Sequence, residues 1–247
     1  DMELDSLNLL IVGMRSKGDS VSFLLREFSG VEKSGFRPLR LEGLLSFSKH
    51  FLHFKDIFIN TPLSQIEASY IFFDFDSLAQ FRKGVFGQQV FMHIRIDKGN
   101  LHLKDLGYFV PSLGNIPHAV RCSGTVSGLL SDVRIKNLFV GYNRESVFAG
   151  NIDMTGLPDI RHTYINVKVN RFITSPEDVE SLKLPWMKKK ISLPETLHRL
   201  GKIQYQGKFT GFFDDFVTYG TLSTRLGTIR NDLIITHQGK NNLNFKG

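Results

Sequence analysis

Along most of this chain apolar and polar residues alternate with a period of two, and little of it carries the 3.6-residue period of a helix. Successive side chains of a strand point to opposite sides, so the alternation marks strands with one buried face. In 89–96, Val90, Met92, Ile94 and Ile96 share a face against Gln89, His93 and Arg95. In 161–170, Ile165, Val167 and Val169 alternate with His162, Tyr164, Asn166, Lys168 and Asn170. In 202–213 one face reads Ile203, Tyr205, Gly207, Phe209, Gly211, Phe213 and the other Lys202, Gln204, Gln206, Lys208, Thr210. Further strands fit near 3–11, 19–28, 36–42, 50–60, 65–75, 100–105, 119–128, 132–140, 145–154, 215–223, 228–236 and 242–246. Turn residues separate them at short intervals, as at Lys98-Gly99-Asn100 and Gly239-Lys240-Asn241. The expected fold class is all-β, a long and mostly antiparallel sheet of roughly fifteen strands.

Helical signals are brief. Ser175-Pro176-Glu177-Asp178 supplies an N-cap, a proline at the first helical position and an acidic first turn, which predicts a helix over 176–183. Pro194 to Leu200, closed by Gly201, reads as a second short helix, and a third turn fits at 104–109 before Pro111. None is long enough to cover a large sheet. A sheet with one apolar face must bury it against something. Here it must fold over on itself, close into a barrel, or leave an apolar surface for a ligand.

Composition narrows the partners. The chain has 247 residues and reads as a single continuous β segment over 1–247. It opens at Asp1 already in strand pattern and stops at Gly247 inside another, as expected of an internal segment of a longer protein. No run approaches the roughly 18 apolar residues of a membrane span. Phe supplies 22 residues against 6 Tyr and 1 Trp, spread from Phe23 to Phe245. Nucleic-acid platforms gather aromatics with Arg and Lys in a compact site, so this dispersal argues for a long apolar surface and against nucleic acid. The net charge of +7 is scattered, with one cluster at Lys188-Lys189-Lys190. Cys122 is the only cysteine, which rules out an internal disulfide and any multi-cysteine metal site.

Residues for catalysis are not assembled in the sequence. Gly207-Lys208-Phe209-Thr210-Gly211 lies inside a strand pattern and not between a strand and a helix, so it does not cradle phosphate. His50 and His53 are an odd number apart on a strand and point to opposite faces. Asp74 and Asp76 form the only same-face acidic pair, read as solvated. The expectation is a protein that is not an enzyme, with no cofactor and no metal site.

Several phrases in order resemble a known family: Glu32-Lys33-Ser34-Gly35-Phe36, Asn60-Thr61-Pro62-Leu63-Ser64, Lys104-Asp105-Leu106 with Phe109 and Pro111-Ser112-Leu113, and Gly124-Thr125-Val126. Thr155-Gly156-Leu157-Pro158-Asp159-Ile160 follows, then Thr174-Ser175 with Asp178, then Leu193-Pro194 through Gly211-Phe212, Asp215-Phe216, Gly220, Thr224, Gly227 and Asp232. Together they resemble the TamB-like translocation and assembly module proteins of the Bacteroidota, within the AsmA-like group. The resemblance covers about 30–235. It implies a periplasmic segment of a long protein anchored in the inner membrane of a Gram-negative bacterium. The implied body is a sheet folded over an apolar groove (a β-taco). The implied work is moving phospholipid between the inner and outer membranes, supporting outer-membrane biogenesis. The implied partner is an Omp85-family outer-membrane protein, bound through regions outside this segment.

The residues lead to a similar picture. Strands advance about 4.8 Å each, so fifteen in one sheet would line a trough of roughly 70 Å. Such a lining shields phospholipid acyl chains at about 0.8 kcal/mol per buried methylene. The candidate lining residues are Val90, Met92, Ile94 and Ile96; Ile165, Val167 and Val169; Ile203, Tyr205, Phe209 and Phe213; and Ile229, Leu233 and Ile235. Each is equally suited to the dry core of a closed sandwich. A second reading makes the chain a non-transporting scaffold whose sheet edges pair with other strands during outer-membrane protein assembly.

Overall fold

The computed structural model describes residues 4–32, 37–81, 85–107, 116–182, 191–238 and 242–247. The chain divides into two compact units, residues 1–129 and 130–247. The first holds β1 (Leu4–Lys17), β2 (Ser20–Glu32), β3 (Arg40–Phe47), β4 (Phe51–Asn60), β5 (Gln65–Asp74), β6 (Phe91–His102) and β7 (Ala119–Leu129). The second holds β8 (Asp132–Tyr142), β9 (Ser146–Thr155), β10 (Tyr164–Thr174), β11 (Ile203–Gly211), β12 (Phe216–Thr224), β13 (Gly227–Gln238) and β14 (Asn242–Lys246). Within each unit strand order follows chain order, and the pairs are antiparallel. The all-β, antiparallel architecture expected from the alternation is therefore present. Among the described residues no strand within either unit pairs with any but its chain neighbours, so neither unit closes into a barrel.

The helices are short, as expected. They are α1 (Phe86–Gln89), α2 (Leu103–Leu106), α3 (Pro176–Ser181) and α4 (Glu195–His198). Ser175 caps α3 as its sequence predicts, its Oγ accepting the Asp178 amide at 3.2 Å. None of the helices among the described residues is long and apolar enough to cross a membrane.

Three local expectations need correction. Residues 98–100 do not form a turn: β6 runs through them and absorbs the irregularity as a bulge between Ile96 and Gly99. Residues 89 and 90 are not in the strand. Gln89 ends α1, and Val90, fully buried, caps that helix. Phe213 lies past the end of β11 in the turn to β12, closed by the Phe212 amide on the Asp215 carbonyl at 2.7 Å, and it is 67% exposed. The expected turn at 239–241 and the Lys188–Lys190 cluster fall outside the described residues.

Bulges shape both units. In the first, four consecutive strands break register side by side, around Gly43, Asp56, Ser69 and Asp97. Asp56 takes a left-handed φ of 50°, where a short polar side chain is better tolerated than a branched one. In the second, Asn137 (φ 51°) and Asn170 are the extra residues of β8 and β10. Each bulge shifts the alternation by one, so Val133 and Ile135 share a face with Leu138 and Val140, and Val169 shares its face with Phe172. Were the extra residues kept in plain alternation, without a bulge, the apolar side chains would change sides midway along each strand.

Candidate functional site

Cross-strand partners stand on the same side of a sheet, so the register converts directly into rows running across the strands. In the second unit one row reads Ile135–Ile152–Val167–Phe209–Thr218–Leu233 across β8 to β13. A parallel row reads Val133–Met154–Ile165–Gly211–Phe216–Ile235. A third reads Val140–Phe148–Phe172–Tyr205–Leu222–Ile229. The first unit has the same construction, with Phe23–Leu45–Phe54–Ile71–Ile94–Val126 across β2 to β7. Beside it runs Val21–Phe47–Leu52–Phe73–Met92–Gly128.

The predicted lining residues therefore fall on one apolar face in each unit. Met92, Ile94 and Ile96 belong to the first unit; Ile165, Val167, Val169, Tyr205, Phe209, Ile229, Leu233 and Ile235 belong to the second, and Ile203 continues its strand on that side. Ile165 and Val167 are half-buried and Val169 is buried, while Asn166 and Lys168 are exposed, as the alternation predicts. Val90 caps α1 instead of lying on a strand, and Ile229, although in the face, is 64% exposed.

The degree of burial is the informative quantity. Every member of the Phe23-to-Val126 row and of the Ile135-to-Leu233 row is half-buried, neither sealed from solvent nor free in it. A second packed layer would bury such side chains outright. Among the described residues the buried apolar side chains are scattered points: Leu25, Ile57, Ala68, Phe75, Val90, Met92 and Ile116 in the first unit, Val133, Tyr142, Val169 and Ile173 in the second.

Elements at strand ends cover part of these faces. In the first unit Phe81, from a 3-10 turn at Leu78–Phe81, and Phe86 of α1 pack at 6.1 Å centroid separation against Phe73. Phe81 also meets Phe75 edge-on at 4.9 Å. In the second unit the Tyr205 ring is laid over two glycines. A Cβ on Gly220 would stand 2.6 Å from the Tyr205 hydroxyl, and one on Gly207 would meet the same oxygen at 2.6 Å. The hydroxyl bonds Thr218 Oγ1 at 2.7 Å. Thr218 in turn takes the Asn231 amide on its carbonyl at 3.1 Å, leaving Asn231 Oδ1 buried without a partner. Tyr205 thus spends its ring and its hydroxyl inside the sheet, on a repair of the glycine pair that sequence alternation does not reveal.

Two short helices are pinned by the same device. The buried carboxylate of Asp105 in α2 accepts the hydroxyls of Thr61 and, at 2.6 Å, Ser64, which close the β4–β5 turn. Asp178 in α3 accepts the Ser146 hydroxyl at 2.7 Å and its amide at 3.0 Å, and takes the Asn143 amide at 3.0 Å, which holds the β8–β9 turn. In both cases a helix after the third strand reaches back to the turn between the first two. The phrases at 60–64, 104–106 and 174–178 meet in these pins.

The opposite faces carry charged groups. Asp97 accepts Ser69 Oγ at 2.6 Å and Arg95 Nε at 3.0 Å, and these bonds, Ser69 foremost, hold its carboxyl below the usual range. It borders a concavity of about 480 Å³ over the aligned bulges, with Arg40, Glu42, Asp56 and Glu67. A second, of about 420 Å³, lies by the Asp178 pin with Arg144 and Glu177. On the same side of the first unit His53 is stacked between Phe51 and Phe72 at 4.5 and 4.3 Å, its Nε2 2.7 Å from Asp74. The ring faces are spent on one another and offer no platform for a ligand. Among the described residues no group of three or more His, Cys, Asp or Glu is placed to hold a metal ion. Compared with known proteins, the chain matches no family model, no curated protein and no solved structure.

Proposed function

We propose that the apolar faces of this protein shield phospholipid acyl chains, and that the chain works as a segment of a TamB-like periplasmic protein moving phospholipid between the inner and outer membranes. The observation that carries the reading is the half-burial of entire apolar rows across six consecutive strands in each unit. Apolar side chains held at that level retain transfer energy to give to a hydrocarbon, at about 25 cal/mol per Å² removed from water. The bulges at Asn137 and Asn170 support it too, because each takes up an extra residue and so keeps one face apolar along the whole strand.

Native mass spectrometry of the purified chain should find co-purified phospholipid, and photo-crosslinking should place it on these rows. Val167→Asp or Leu233→Asp puts a carboxylate in the Ile135-to-Leu233 row. On a half-buried face that carboxylate still reaches water, so the fold should survive while lipid crosslinks fall at least tenfold. Gross unfolding would mark a closed core, and unchanged crosslinking in a folded variant would remove the row from the path.

One observation favours the scaffold reading. In the edge strand β1, Leu7, Leu9, Leu10, Ile11, Val12 and Met14 are all exposed, on both sides of the strand. An edge of that character is a template for adding another strand.

A further inference from the structure

The polar side of the second unit carries a charge arrangement that intramolecular packing does not explain. Lys168 of β10 and Lys208 of β11 are direct cross-strand partners, which sets their Cβ atoms about 5 Å apart on the solvent side. Like charges so placed oppose one another, and neither ammonium has an ion pair or hydrogen bond among the described residues. In the neighbouring row Arg171 and Arg230 are exposed and likewise unpaired, with Arg230 opposite Thr221. The bias extends to the whole unit: residues 130–247 hold 17 Lys and Arg against 11 Asp and Glu, which is +6 of the chain's net +7.

We propose that this face of the second unit docks on an anionic bilayer surface, with Lys168 and Lys208 taking lipid phosphates and Arg171 and Arg230 flanking them. The cations are spread in two dimensions over three strands, β10, β11 and β13, which suits phosphates distributed laterally in a plane better than those strung along one nucleic-acid backbone. Tyr219, 52% exposed and cross-strand from Lys208, is the single ring among the four cations. One ring suits a membrane interface, whereas a single-stranded nucleic acid needs successive stacking partners. The inference concerns the side of the sheet opposite the acyl-shielding rows and stands or falls separately from them.

The test is co-sedimentation of the purified chain with phosphatidylcholine vesicles, with and without phosphatidylglycerol, at about 0.1 M and about 1 M salt. The parent should bind the anionic vesicles only, and release them at high salt. Lys168→Gln with Lys208→Gln should weaken binding about fivefold per lysine, or roughly 25-fold together. Lys168→Arg with Lys208→Arg should retain it, since the charge is kept. Binding of the Gln pair within twofold of the parent would overturn the proposal. So would salt-insensitive binding to phosphatidylcholine alone, which is the signature of the apolar face, or displacement of the vesicles by a single-stranded oligonucleotide.

Discussion

Asp105 shows how much a single side chain can hold at the residue scale. It is the one buried carboxylate among the described residues, and both hydroxyls it accepts belong to one turn. Asp105→Ala should strand those hydroxyls and cost about 2 kcal/mol, read as a lower denaturant midpoint with an unchanged slope. Asp178→Ala removes three bonds from the β8–β9 turn and should cost a comparable amount. Asp97 behaves differently because it is exposed. Its carboxyl is held below the usual range, so the small stability it adds is present above the ordinary carboxylate value and lost as pH falls through the folded one. Asp97→Asn should therefore lose that small increment at neutral pH and flatten the stability profile below about pH 4, so that the two proteins converge in acid.

The elements were legible in the sequence to the extent that alternation is local. The strands around Ile94, Val167 and Phe209 and the capped helix at Pro176 could all be read from spacing. What could not be read was set by neighbouring strands. Lys98-Gly99-Asn100 carries hairpin chemistry, yet Gly99 serves a close approach inside β6, where a Cβ would stand 2.7 Å from Cys122 Sγ. The alternation through Phe213 continues past Gly211, whose positive φ of 140° belongs to the end of β11. Asn137 and Asn170 look like ordinary solvent-side residues, and only the partner strands identify them as insertions. Deleting Asn170 leaves Val169, Arg171 and Phe172 in plain alternation, so Phe172 should stay on the apolar face and Arg171 outside, with the melting temperature lowered by only a few degrees. Asn170→Ala keeps the spacing and should cost under about 0.5 kcal/mol.

At the scale of the molecule, the sequence announced an all-β chain but not where its apolar surface would be left partly open. That depended on which strand ends received a cover, such as Phe81 and Phe86 over Phe73, and the covering residues come from segments with no strand pattern. The exposed β1 edge makes a further expectation. The purified chain should associate as its concentration rises, and Leu9→Lys with Val12→Lys, one on each side of the strand, should shift sedimentation toward the monomer. Within each unit the described strands pair with their chain neighbours alone, which bears on how the protein reaches this structure. Each new strand finds its partner in the segment emitted just before it, so no pairing waits for a distant part of the chain. The loops to be closed are therefore mostly short, and folding should be quick for an all-β protein and able to proceed from the N-terminal end as the chain emerges. A sheet assembled in that order presents one growing edge at a time, and the last strand added is the one that frays first.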